Sequence, residues 1–313
     1  MKKILHKILT HSSIVKKPPV LVDIGASGDI HKKWELIAKH SICIAFDADD
    51  RDFEVLDSES KVWKKLYSLN RMVTAQSFDD NDFYLTKSPY CSSLLPPDNE
   101  ALKPWAFSSL FDIETVVKLP SVDLMSVISE VNIDYIDWYK TDTQGADLRI
   151  FDSLSNGVKD KIIMAEFEPG IIDAYKGEDK LNHLMLYMDN KPFWVSDMVV
   201  KGSQRIDQED YKSLNYLQRR GIGSFLKAAP GWCEISYINK MDDNSMTIRD
   251  YLLAWVFSSI EGEHGFALHV AKSGYGKFSD DIFLLLEKKS NHKLHYGYIR
   301  FFLKAIKRRL SLI

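Results

Sequence analysis

Residues 20–30, VLVDIGASGDI, form a short apolar run that ends in Asp23 and then in two glycines, Gly25 and Gly28. A second apolar run follows, CIAFDADD over residues 43–50, and ends in Asp47, Asp49 and Asp50. A buried parallel strand that feeds a glycine turn, with an acid at the tip of the next strand, builds a pocket for a nucleoside cofactor. Dinucleotides need three glycines in G-x-G-x-x-G, so that backbone can approach a pyrophosphate at a helix start. Here the spacing is G-A-S-G, the third glycine is missing, and Asp23 stands two residues before the first. An acid at that place repels a pyrophosphate and suits a cation. S-adenosylmethionine, with a sulfonium, an ammonium and no phosphate, fits this pattern better. Asp47 lies about 20 residues beyond the turn, the usual distance for holding ribose hydroxyls.

Strand and helix signals alternate through residue 200, which predicts an α/β fold: a mostly parallel, Rossmann-like sheet with helices on both faces. Strands are expected near 20–24, 42–47, 71–76, 134–142, 161–168 and 193–200, and helices near 29–40, 50–58, 121–131, 145–154 and 178–190. Ser121 reads as a helix cap with Asp123 in the first turn. The stretch 77–120 is rich in Ser, Pro and Asp, with hairpin-like alternation around 82–86 and 114–119. Pro18 and Pro19 end a basic amphipathic helix over 1–17. Beyond 202 the texture becomes mostly helical, which divides the chain into 1–17, 18–202 and an extension over 203–313. Residues 282–289, IFLLLEKK, suit a helix or a last strand.

The 313 residues suffice for a full core, and a net charge of -3 gives no support to a nucleic-acid binder. Cys43, Cys91 and Cys233 lie far apart with no ligand spacing, as expected in a reducing compartment without structural zinc. His6 and Lys7 interrupt the apolar positions of MKKILHKILTHSS, so it lacks the core of a signal peptide. No run approaches the ~20 apolar residues that span a bilayer, and the expected location is cytoplasmic. At the other end Ile299, Phe302, Ile306, Leu310 and Ile313 form a stripe at helical spacing, with Arg300, Lys304, Lys307 and Arg308 away from it. Two basic amphipathic ends can pack on the domain, pack on a second copy of the chain, or lie peripherally on the anionic inner membrane surface.

Lys140 and Asp142 stand two apart at the end of a half-apolar strand, where doubly wound sheets bind ligands. They can carry chemistry, or form a strand-end ion pair with Asp142 capping the next helix. Glu166 and Glu168 end the following strand, and if the two strands are neighbours Asp142 and Glu166 meet at one rim. Such acids can bind substrate hydroxyls, deprotonate one, hold a divalent ion, or pair with Lys161 or Lys180. Ser92 and Ser93, in SPYCSSLLPP, suit a plain surface loop or a polar contact with substrate.

Taken together, VDIGASG, IAFDAD, SPYCSSLLPP, YKTDTQGADLRIF and AEFEPG resemble the FkbM-type S-adenosylmethionine-dependent methyltransferases over residues 18–200. The resemblance implies a class I methyltransferase that methylates hydroxyls, commonly of sugars in glycans or of natural products. By it, Asp23, Gly25, Ala26, Ser27 and Gly28 surround the methionine moiety, Asp47 holds the ribose, and Gln76 and Ser77 lie near the adenine. Asp142 is then the general base, with Lys140 positioning it, and Ser92, Ser93, Gln144, Glu166 and Glu168 face a small-molecule or glycan acceptor. Lys140 lowers the basicity of Asp142, and His31 and His183 are alternative bases. Where the family favours K-I-D-V-E-G this chain has K-T-D-T-Q-G, so Gln144 replaces a carboxylate. That departure keeps open a second reading, a non-catalytic scaffold in glycan assembly. A nicotinamide oxidoreductase is disfavoured by the missing glycine.

Overall fold

The computed structural model describes residues 2–26, 30–49 and 62–310, the last helix by its backbone alone at 299–301 and 303–310. Its strands are β1 (Val20–Ile24), β2 (Ile42–Phe46), β3 (Lys65–Leu69), β4 (Met72–Thr74), β5 (Phe78–Thr86), β6 (Ile113–Asp123), β7 (Trp138–Thr141), β8 (Met164–Phe167), β9 (Phe193–Gln204) and β10 (Ala228–Asn239). Among the described residues, seven of them form one sheet in the order β3-β2-β1-β7-β8-β10-β9, and β4, β6 and β5 form a small second sheet. The pairs from β3 to β8 are parallel, and β10 runs antiparallel to both β8 and β9. The strand order reverses at β1, so the loops after β1 and β7 diverge and open a crevice at the carboxyl ends of the strands.

Hydrophobic runs place β1 and β8 at the centre. All five residues of β1 are buried, which fits a parallel strand covered on both faces. On one face Val22, Ile24, Tyr139, Ala165 and Phe167 pack on the helices Asp147–Ser153 and Leu181–Met188. Tyr139, Phe151 and Phe167 form a ring triad there, with centroids 5.1–5.8 Å apart. The register places Asp23, Lys140 and Glu166 side by side on three adjacent strands. Lys140 Nζ donates to Asp23 Oδ1 at 2.7 Å, Lys33 Nζ donates to Glu166 Oε2 at 2.7 Å, and the Trp138 indole also donates to Glu166.

The chain divides into two compact units, residues 18–239 and residues 1–17 with 240–313. The second is helical. Its helix Lys2–Leu9 buries Ile4, Leu5, Ile8 and Leu9, so the apolar stripe of the N-terminus belongs to a core. The helix Ile248–Glu261 starts at a Thr247–Asp250 capping box, stops at left-handed Gly262, and is buried on every side from Leu252 to Phe257. Helices His264–Phe278 and Ile282–Leu310 follow, so residues 282–289 are helical. No helix among the described residues is long and apolar enough to cross a membrane.

Several boundaries differ from expectation. The third strand of the large sheet is 65–69, and 72–74 joins the small sheet; KLYSLN and RMVTAQ are adjacent short runs that alternation alone cannot rank. Ser121 lies in β6 and bonds Thr74, Phe78 and Asn81, while Asp123 caps the next helix by accepting from Ser126 N at 2.8 Å. The expected helix at 29–40 is two 3-10 turns, Lys32–Leu36 and Ala38–His40, and the one at 50–58 lies outside the described residues. The division at 202/203 moves to 239/240, because β10 inserts into the sheet. Its Pro230 and Gly231, with a register shift between Pro230 and Trp232, hide its strand pattern.

The crevice depends on a close backbone approach. Gly25 has φ +83°, and a Cβ there would stand 2.1 Å from the Asp142 carbonyl oxygen. Gly25→Ala is expected to cost about 2–4 kcal/mol, from left-handed strain and backbone overlap together. Urea denaturation checks this, and an unchanged midpoint would show that the two strand ends can separate freely.

Candidate functional site

Two cavities open at the carboxyl ends of the central strands and share Tyr90, Asp142 and Gln144. The first is a cleft lined by Gly25, Phe46, Asp47, Met72, Val73 and Asp142 among others, and its described walls enclose about 60 Å3. Gly25 N and Ala26 N both donate to the Phe46 carbonyl, at 2.9 and 3.0 Å, which folds the turn after β1 over the tip of β2. Asp47 sits at that tip. Its backbone N donates to Leu69 O at 3.2 Å, and its Oδ1 accepts from Asp49 N at 2.9 Å. The segments that follow β1 and β2 in sequence, 27–29 and 50–61, lie outside the described residues, Ser27 and Gly28 with them.

The second cavity is larger, about 450 Å3. Tyr90, Phe107, Phe111, Tyr175 and Trp232 supply aromatic walls, and Asp142, Glu168 and Glu178 supply carboxyl groups. Among its described lining residues there is no lysine, arginine or histidine. The rings brace one another, with Phe107–Phe111 at 5.3 Å, Phe107–Trp232 at 6.2 Å and Phe111–Tyr175 at 5.5 Å.

The turn after β7 joins the two cavities, and one buried carboxylate shapes it. Asp147 Oδ1 accepts from Thr141 Oγ1, Thr143 N and Thr143 Oγ1 at 2.6–3.0 Å, while Oδ2 accepts from Glu168 N at 3.0 Å. The end of β7 is thereby tied to the end of β8. Gln144 has φ +55° and Gly145 φ +111°, a left-handed pair that reverses the chain. A Cβ on Gly145 would meet Glu178 Cβ at 2.9 Å, so only glycine lets that segment close in. The Gln144 carbonyl accepts from Ser93 Oγ at 2.8 Å; its side chain donates to Asp142 and accepts from Tyr175 Oη at 3.1 Å.

The carboxyl groups of Asp142 and Glu168 act directly on one another. Burial raises the Asp142 pKa to about 6 despite the opposing charge of Lys140. Burial, and then the charge of Asp142, push Glu168 up to about 9. Two carboxyl groups this close cannot both ionise cheaply, so the pair keeps a proton on the glutamate at neutral pH. Burial also raises Glu178, to about 7, although its carboxylate accepts from Ala174 N at 2.7 Å.

The sequence candidates divide accordingly. Asp47, Gly25, Asp142, Gln144, Ser92 and Glu168 line one cavity or both. Asp23, Lys140 and Glu166 line neither; strand alternation commits them to the charged row within the sheet. Asp142 therefore meets Glu168, not Glu166. Burial works to lower the Lys140 pKa, but Asp23, Asp142 and Glu166 carry it above the ordinary value, so it stays a cation engaged by Asp23. Among the described residues Asp23 Oδ2 is buried without a hydrogen-bond partner, yet it is not a wall of the cleft. Ala26 is buried against the tip of β2 rather than in the cleft wall. Ser93 braces the turn instead of facing a ligand. Gln76 is exposed and Ser77 bonds the Asp123 carboxylate, so neither lines the cleft; Arg71, Met72 and Val73, just before them in sequence, line it instead. His31 caps the 3-10 turn through Lys33 N, and His183 is exposed on its helix, so neither reaches a cavity.

Sequence pattern does not single out Asp147 or Glu178. Asp147 reads as an ordinary first-turn acid, and Glu178 lies in a segment with no motif. Among the described residues no group of three or more His, Cys, Asp or Glu side chains is arranged to hold a metal ion. No protein-family model and no curated protein matches the chain.

The carboxyl pair makes stability depend on pH. The folded Glu168 pKa lies above its unfolded value near 4.5, so the protonated acid favours folding. That contribution is complete below the unfolded value and declines as the pH rises through about 9. Urea denaturation of wild type and Glu168→Gln across this range should show a flatter pH profile for the variant. Parallel profiles would mean the pair does not share a proton.

Proposed function

We propose that the chain is an S-adenosylmethionine-dependent O-methyltransferase acting on a hydroxyl of a sugar or glycan. The observation that carries this reading is the position of Asp142, at the point where the cleft behind the β1 and β2 tips meets the larger aromatic cavity. A donor on one side and an acceptor on the other would both reach the same carboxyl group.

The residues of the cleft suit the cofactor's parts. Asp47 stands at the strand tip, where an acid can accept from ribose hydroxyls. Phe46, Met72 and Val73 offer apolar walls for a base, and Gly25 leaves the turn open where a side chain would overlap Asp142. The reversed β10 between β8 and β9 departs from the dinucleotide sheet order and is compatible with the class I methyltransferase fold that the sequence resemblance implies.

When bound, the cofactor supplies an electrophilic methyl group on sulfur. Asp142 accepts the proton of the acceptor hydroxyl as its oxygen becomes a nucleophile. Burial makes this carboxylate a stronger base than an exposed aspartate, outweighing the opposing charge of Lys140, whose ammonium donates to Asp23. Glu168, its pKa raised to about 9 by burial and by the charge of Asp142, stays protonated beside it. Gln144 fixes the orientation of Asp142 through its amide; a glutamate at 144 would set a second negative charge against that of the pair. The departure at Gln144 is therefore compatible with catalysis, which weakens the scaffold reading. The aromatic rings narrow the acceptor side and can stack on the apolar face of a sugar, whose hydroxyls meet the carboxyl groups.

Calorimetric titration should show S-adenosylmethionine binding and no heat with NAD, and Asp47→Ala should weaken binding roughly tenfold, as loss of one charged hydrogen-bonding partner does. Turnover to S-adenosylhomocysteine on a panel of oligosaccharides and sugar nucleotides identifies the acceptor. On it, Asp142→Asn should lower kcat by about 10²–10⁴ with little change in cofactor affinity. Absence of binding overturns the reading; binding without turnover on any hydroxyl acceptor favours the scaffold; unchanged kcat in Asp142→Asn removes that residue from the mechanism.

A further inference from the structure

Charge is divided unevenly between the two units. The helical unit, residues 1–17 and 240–313, holds 17 lysines and arginines against eight acids, a net of +9. The α/β unit holds the remaining 24 against 36, a net of −12, so the overall charge of -3 conceals a strongly basic module. Such asymmetry points to an anionic partner for the helical part.

The apolar side of that module is also specific. The N-terminal stripe is buried, which takes Ile4, Leu5, Ile8 and Leu9 out of any external contact. Exposed aromatics gather instead on the distal half of the helix Ile282–Leu310: Tyr296 is 57%, Tyr298 69% and Phe302 56% exposed. The sequence interleaves them with Lys293, Arg300 and Lys304, and continues with Lys307, Arg308 and Arg309. Aromatic rings beside lysines and arginines on one helix are the composition of a segment that lies in a lipid interface. One turn earlier the same helix walls a cavity of about 260 Å3 with Lys289, Ser290, His292 and Lys293, opposite Ser259 and His264. No acid is among its described lining residues.

We propose that the helical unit docks on an anionic phospholipid surface. Helical spacing sets Tyr296 on the side of Lys289 and Lys293, so the Tyr296 ring enters the headgroup layer while the Lys289–Lys293 cavity receives one headgroup phosphate. This assignment is independent of methyl transfer, because no residue of the candidate site takes part. It makes the chain a peripheral protein that carries its acidic α/β unit to the membrane.

Co-sedimentation of the full chain with vesicles tests it. Binding to vesicles containing phosphatidylglycerol, but not to pure phosphatidylcholine, is expected, with a steep loss as salt rises. A Lys289→Ala, Lys293→Ala double variant should bind roughly 20-fold more weakly, about fivefold for each base near the surface. Tyr296→Ser should weaken binding by roughly fivefold, since the ring gives up its interfacial contact. Circular dichroism and thermal unfolding confirm that these variants fold. Equal binding to both vesicle types, no binding to either, or variants that pellet like wild type would overturn the proposal. Displacement of the vesicles by RNA with higher affinity would also overturn it and assign the surface to nucleic acid.

Discussion

The Asp147 carboxylate governs the geometry on which the rest depends. It is buried, and it receives four donors from two different strand ends. A carboxylate in a dry place is tolerated only when its oxygens are fully engaged, and each engagement constrains the group that makes it. Thr141 and Thr143 are held from one side and the Glu168 amide from the other. Asp142 and Glu168 stand together because this one side chain will not accept another arrangement. The raised pKa values of the pair, the left-handed turn at Gln144 and the meeting of the two cavities all follow from that tie.

The opposite face of the sheet handles charge differently. Asp23, Lys140, Glu166 and Lys33 alternate in sign across neighbouring elements, with the Trp138 indole as a further donor to Glu166. Burying isolated charges is costly, while a row of alternating sign offsets much of the loss. The row also engages the lysine that stands two residues from Asp142: its ammonium donates to Asp23, and burial outweighs its opposing charge in setting the acidity of Asp142.

Where local chemistry determines position, the site was legible from residue order. Gly25 just after a strand tip, Asp47 at the end of the next strand and the Lys-Thr-Asp-Thr-Gln-Gly turn all lie where their patterns place them. Errors arose where two short runs compete or where burial changes a residue's task. KLYSLN and RMVTAQ are equally good strands on alternation, and the cleft takes Arg71, Met72 and Val73 rather than Gln76 and Ser77 just beyond them. Asp23 and Glu166 look like ligands at strand ends, but their register across β1, β7 and β8 makes them partners of lysines. Register between distant strands is not encoded in any single window. The same holds for β10, whose Pro230 and Gly231 obscure a strand that closes the sheet. Asp147 and Glu178 escaped notice for a related reason: their importance lies in what three other segments donate to them.

The separation of charge between the two units has a physical logic. An acidic α/β unit alone would be repelled by an anionic surface, and at physiological salt the repulsion between exposed charges extends only over roughly 8 Å. A basic helical module on the same chain can hold that unit near such a surface without changing its cavities. The larger cavity of the α/β unit, with three carboxyl groups and no cation among its described walls, disfavours an anionic ligand, so the two units select on opposite electrostatic grounds.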